Sequence, residues 1–122
     1  MRGSPQLAGA LVRRGAAARH RARAASSRSL VPVLERLTAR DPKLADQLRR
    51  AAQSVSLNIA EANQRTGRDR RNRFRIALGS AAEVASCLDV AVALRYVGEP
   101  DHAEAYALVD RVRAMTYRLA NR

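Results

Sequence analysis

The sequence predicts an all-α protein, an antiparallel up-down-up-down four-helix bundle, on three observations. Apolar residues recur at three- and four-residue spacing from Ser26 to the end of the chain, which is the signature of helices with one buried face. No segment sustains the period-two alternation of a half-buried strand. The breaks at Asp41-Pro42, Thr66-Gly67 and Gly98-Pro100 are short, and helices joined by short loops must run antiparallel to their neighbours. A chain of 122 residues suits one domain with a modest core.

Leu30, Val33, Leu34 and Leu37 mark one face of the first helix, and Pro32 is tolerated only in a first turn, so regular helix starts near Ser29. Asp41 and Pro42 pair an N-cap aspartate with a proline at the first helical position, which starts the second helix. Leu44, Leu48, Val55, Ile59 and Ala62 keep its apolar stripe on one side until Thr66 and Gly67 end it. Near Arg68 the third helix begins, with Phe74, Ala77, Ala81, Val84, Leu88 and Ala91 in its stripe; roughly 29 residues at ~1.5 Å each make a rod of about 40 Å. Gly98 and Pro100 stop it, and Asp101 is placed to cap the fourth helix, whose stripe is Ala105, Leu108, Val112, Met115 and Leu119. Much of this apolar surface is alanine, which buries little area per residue, so the core should be thin and oligomerisation would add to it. Gly79 in mid-helix costs about 1 kcal/mol relative to alanine and suggests close approach by another helix.

Residues 1–25 are read separately, as a disordered basic arm before a bundle domain of residues 26–122. The first 34 residues contain no acid. That Arg- and Ser-containing composition also suits a targeting segment or an upstream start that adds non-native sequence. The short apolar stretch Leu7–Val12 is broken by Gly9 and makes no secretory core. No apolar run approaches the ~20 residues that cross a bilayer, so a soluble, cytoplasmic protein without a membrane partner is expected.

The formal charge of +12 is segregated. Residues 1–40 hold nine arginines against Glu35, and residues 65–75 hold Arg65, Arg68, Arg70, Arg71, Arg73 and Arg75 against Asp69 alone. Residues 41–64 are neutral and residues 76–122 slightly acidic. A cationic edge on a rigid helical body selects polyanions, and the planar guanidinium suits bidentate phosphate contact. GC-rich codon usage also gives an Arg/Ala-rich chain. The second block is equally compatible with a solvated helix start, although cations there oppose the helix dipole. With Phe74, Tyr96, Tyr106 and Tyr117 as the whole aromatic set, any nucleic-acid contact should be mostly to phosphates, weak in sequence choice and steep in salt dependence.

Catalytic chemistry has no foothold. Neither P-loop nor dinucleotide glycine motif is present. His20 and His102 are not placed beside a nucleophile, and Ser54, Ser56 and Ser86 lack a base. Glu61 and Glu83 on neighbouring helices suggest a di-iron site, but Gln64 and Ser86 stand where that site needs histidine. No metal and no cofactor is expected. Cys87, the single cysteine, reads as a buried structural thiol. Arg49, Arg50, Asn58, Glu61, Ser80 and Glu83 are read as a structural polar motif, with the arginines pairing across helices or subunits and fixing register.

The stretch QLRRAAQSVSLNIAEA, followed after the basic loop by RFRIALGSAAEV and a Leu-containing continuation to RYVG, resembles the bacterial four-helix-bundle proteins named for intervening sequences in 23S ribosomal RNA genes. That family includes accessory variability determinant proteins of diversity-generating retroelements. Arg49-Arg50-Ala51, Ser54, Asn58-Ile59-Ala60-Glu61, Phe74, Gly79-Ser80 and Glu83 carry the likeness, over about residues 30–120. Ala62 stands where members commonly have glycine, and an Arg/Ala segment replaces an aromatic-rich first helix. The resemblance implies a ring-shaped homopentamer of bundles without known catalysis, and basic surfaces that in retroelement members engage nucleic acid and a reverse transcriptase. The expected function is therefore non-enzymatic binding of RNA or DNA by an oligomer, with a scaffold docking onto a reverse transcriptase or another nucleic-acid enzyme as the alternative.

Overall fold

In the computed structural model, which describes residues 30–122, every regular element is a helix: α1 (Val31–Arg40), α2 (Pro42–Ala62), α3 (Gly67–Ala93) and α4 (Glu99–Ala120). The arm of residues 1–25 lies outside the described residues. Consecutive helices pack on one another, α2 on α3 most extensively, then α3 on α4, while the ten-residue α1 lies against α2 and touches α4. The up-down order read from the loop lengths is the order found, with α1 much the shortest described helix.

Local chemistry sets the boundaries. The Leu44 N–H donates to Asp41 Oδ1 at 3.1 Å, so aspartate caps α2 and Pro42 occupies a position whose N–H has no helical acceptor. The turn into α3 depends on Gly67, whose φ of +58° is in the left-handed region that costs a glycine almost nothing. At its other end α3 stops at Arg95, not at Gly98: Arg95 takes φ +62°, its N–H bonds to the Val92 carbonyl at 3.0 Å, and the Tyr96 N–H reaches the Ala91 carbonyl at 2.9 Å. That pair of bonds is a Schellman stop with arginine where glycine is usual. Asp101 is a second correction. Gly98 is the N-cap of α4, and Asp101 sits within the first turn with its carboxylate near Arg36 of α1 at 3.6 Å.

The core runs from Leu30 and Leu37 through Leu48, Val55 and Ile59 to Phe74, Val84, Leu88, Leu108 and Val112, all at 2 % exposure or less. Alanine supplies ten of the buried positions, so the helices sit close and each contributes little area. Thr116, the one buried polar residue among those described, donates to the Val112 carbonyl at 2.6 Å. By length and composition α3 is the one described helix apolar enough to cross a membrane, although no such run was expected. Its apolarity comes from Ile, Leu, Val and Cys residues as well as alanine, and it packs between α2 and α4 as a core helix does. Leu57, Ile76, Val90 and Leu94 remain exposed on the outer side.

Gly79 departs from expectation. A Cβ added there would meet nothing within 4 Å among the described residues, so none of the described helices approaches it.

Candidate nucleic-acid interface

The arginine block is divided by the helix that carries it. Arg65, in the turn before α3, donates to Glu61 Oε2 from Nη2 at 2.6 Å and to Asp69 Oδ2 from Nη1 at 3.0 Å. The hydrogen bond to Glu61 and the nearby charges of Asp69 and Glu61 raise its pKa above the ordinary arginine value. Two carboxylates offset one guanidinium, so Arg65 fastens the turn rather than presenting charge. Arg70 lies with its guanidinium carbon 4.7 Å from the centre of the buried Phe74 ring, a cation–π contact that holds it against the body of the bundle. Arg73 is half-buried, and its Nε is fully enclosed with no hydrogen-bond partner, the single such side-chain atom among the described residues.

Arg68, Arg71 and Arg75 differ from these three. Spaced three and four apart, they form one stripe on the flank of α3 that continues to Leu78. None has an ion-pair partner within 4.0 Å among the described residues.

Leu78 opens onto a groove between α3 and α4 of about 430 Å³, lined on the α4 side by Asp110, Arg113, Ala114, Tyr117 and Arg118. Tyr117 is 60 % exposed, while Phe74 is buried and Tyr96 and Tyr106 are half-buried. Arg113 and Arg118 are without ion-pair partners within 4.0 Å among the described residues. Sequence reading missed this flank because the charge of residues 76–122 was summed over the whole segment, where acids elsewhere cancel it. The spacing of Arg113 and Tyr117, four apart and off the apolar stripe, was the available sign.

The polar motif is more local than expected. Among the described residues Arg49 and Arg50 pair within their own helix and not with another: both turn to Asp46, Arg50 at 2.6 Å and Arg49 at 3.6 Å. Glu61 is taken by Arg65. Asn58 donates to the Ser54 carbonyl at 2.9 Å and to Ser54 Oγ at 3.2 Å, again within α2. Register between α2 and α3 is marked instead by the hydroxyls of Ser54 and Ser80, 2.6 Å apart. Glu83 lines a polar depression of about 290 Å³ with Lys43, Asp46, Gln47 and Arg50 but forms no ion pair within 4.0 Å among the described residues. His102 Nε2 bridges α4 to Asp89 Oδ1 on α3 at 3.1 Å. Cys87 is buried, and desolvation, with the nearby charge of Glu83, pushes its thiol pKa up. Among the described residues no three His, Cys, Asp or Glu side chains gather as a metal site would require.

These features define a small helical bundle with one cationic flank and no assembled catalytic group among its described residues. The family model for 23S rRNA-intervening sequence proteins matches residues 21–118, and the chain belongs to that family. Neither a search of curated proteins nor one of solved structures returned a match.

Proposed function

We propose that this protein is a non-enzymatic, oligomeric bundle that binds RNA or DNA backbones in the cytoplasm with little sequence preference. The observation that carries the reading is the stripe of Arg68, Arg71 and Arg75, three guanidinium groups on one rigid flank without carboxylate partners within 4.0 Å among the described residues. Unneutralised cations at fixed helical spacing gain free energy from a polyanion by releasing its condensed counterions. Fluorescence anisotropy with mixed RNA and DNA oligomers tests it: salt-sensitive binding is expected, and its absence at low ionic strength rejects the proposal.

Assembly as a homopentameric ring is part of the same proposal. Leu57 of α2 at 68 % exposure and Ile76 of α3 at 41 % are large apolar side chains left uncovered, and Gly79, one turn on from Ile76, has open space beside it among the described residues. A glycine that none of the described helices approaches is suited to approach by a helix of another copy. Light scattering should give a multiple of 13.4 kDa, five-fold for the ring.

A second reading rests on Val90 and Leu94, exposed near the end of α3, where a protein partner such as a reverse transcriptase would find apolar contact. Loss of partner binding on Leu94→Asp with unchanged nucleic-acid affinity would favour it.

A further inference from the structure

We propose that Tyr117 is a stacking platform for an unpaired base, so that the ligand of the α3/α4 groove is a single-stranded nucleic acid. The inference rests on the nucleic-acid reading above and narrows it. Four observations converge on the groove. Tyr117 is the one exposed aromatic side chain among the described residues. The groove it lines, about 430 Å³, falls in the size range of clefts that receive small molecules and easily admits a nucleobase. Arg113, one turn before Tyr117 on the same face, and the adjacent Arg118 supply phosphate contacts on the α4 side. On the α3 side Arg75 and Arg71, three and seven residues before Leu78, share its helix face and add cations beside the groove.

That combination of a cationic track with an exposed aromatic ring is what a single strand needs and a duplex does not. A duplex keeps its bases stacked inside and offers phosphates alone, which would leave the ring without a partner. A splayed strand offers a π-face for each base, and stacking on an aromatic ring tolerates any sequence. Asp110, the one acid lining the groove, repels a phosphate at its end. The backbone therefore runs toward Arg71, Arg75 and Arg118. Another copy of the same cationic face is disfavoured by charge. An acidic peptide could satisfy the arginines but has no stacking group for Tyr117.

The test compares the full chain, Tyr117→Ala and Tyr117→Phe in anisotropy titrations at one low salt concentration. The probes are a labelled 12-nucleotide oligo-uridine, the matching oligo-thymidine, an abasic strand of equal length, a duplex and polyglutamate. The expected result is that Tyr117→Ala binds both single strands about tenfold more weakly, the loss of one base stack, while Tyr117→Phe binds as the parent does. Removing the bases should weaken parent binding by a similar factor and abolish the difference between variants; duplex affinity should not change. The two oligonucleotide arms separate RNA from DNA. Equal single-strand affinity of Tyr117→Ala and parent, an equal loss on the duplex, or polyglutamate binding as tight as the strands overturns the inference. If the parent binds neither strand nor duplex, the broader nucleic-acid reading fails as well. If salt-sensitive binding persists and ignores position 117, that reading stands and this one falls. Because Tyr117 is mostly exposed, its truncation should leave the helical circular dichroism unchanged.

Discussion

Replacing the arginines of the 65–75 block one group at a time should divide the block into contributors and bystanders. The perturbation is Arg68→Gln, Arg71→Gln and Arg75→Gln in one variant, against Arg65→Gln in another. Each guanidinium that neutralises a phosphate of a single strand contributes about −0.7 to the slope of log K against log salt. Arg68, Arg71 and Arg75 have no carboxylate within ion-pair distance among the described residues, so removing all three should flatten the slope by about 2. Arg65 is already engaged by Glu61 and Asp69, so its loss should leave the slope within error of the parent. The assay is anisotropy of a labelled single strand at several salt concentrations, with circular dichroism to check that each variant remains helical. Equal flattening by both variants would refute the division of the block, and no flattening by the triple variant would refute the phosphate contacts themselves.

Three further outcomes follow from the local geometry. Arg95 is exposed, lacks an ion pair among the described residues and sits at φ +62°, so Arg95→Gly should relieve a left-handed residue and stabilise the fold by about 1 kcal/mol. In thermal unfolding that is a rise of roughly 4–8 °C, and a similar rise in Arg95→Ala would implicate charge rather than backbone. Cys87 is buried with its thiol pKa raised, so it should resist aromatic disulfide reagents in the native state and react on unfolding. The unfolded chain ionises its thiol above about pH 8.5 while the folded chain holds the proton, so the contribution of Cys87 to stability falls as pH rises through that range. Urea melts of the parent and Cys87→Ala across pH 7 to 10 should show that pH-dependent part in the parent only. A Cβ at position 79 meets nothing within 4 Å among the described residues and leucine favours helix, so Gly79→Leu should leave the chain helical while its mass by light scattering drops. An unchanged mass would place the subunit contact elsewhere.

How much of this was legible in the sequence depended on whether the determinant was local. Asp41 followed by Pro42 is a cap whose donor, the Leu44 N–H, lies three residues away, so sequence alone placed it correctly. Stripes such as Leu48, Val55 and Ile59 are likewise set by helix periodicity and appeared in the core. The stop at Arg95 was not legible, because the residue there is one that normally avoids positive φ. The choices among competing ion pairs were also hidden. Arg50 could reach Asp46 on its own helix or a carboxylate on the next; the nearer, pre-oriented partner at four residues' separation took it. Tyr117 was legible as an exposed aromatic residue from its place off the apolar stripe of α4, but its groove was not, since the residues facing it depend on how α4 is rotated against α3.

Helix α3 is where the proposed binding surface and the proposed subunit contact meet. Ile76 shares the side of Ser80, which meets Ser54 of α2, Leu78 lines the groove beside α4, and Gly79 lies between them, one turn on from Arg75. Association through the Ile76 side would leave Arg71 and the α4 groove of each copy uncovered and repeat them around the assembly. A strand long enough to reach two flanks then binds the second as an intramolecular event, and avidity can exceed the single-site affinity by about 10²–10⁴. A monomeric variant should lose that gain on long strands and keep its affinity for short ones. Length dependence thus separates a ring that multiplies a weak site from a bundle whose single groove is already sufficient. Only the first gives a reason for a thin-cored helical protein to combine an outward apolar seam with a sequence-tolerant cationic track.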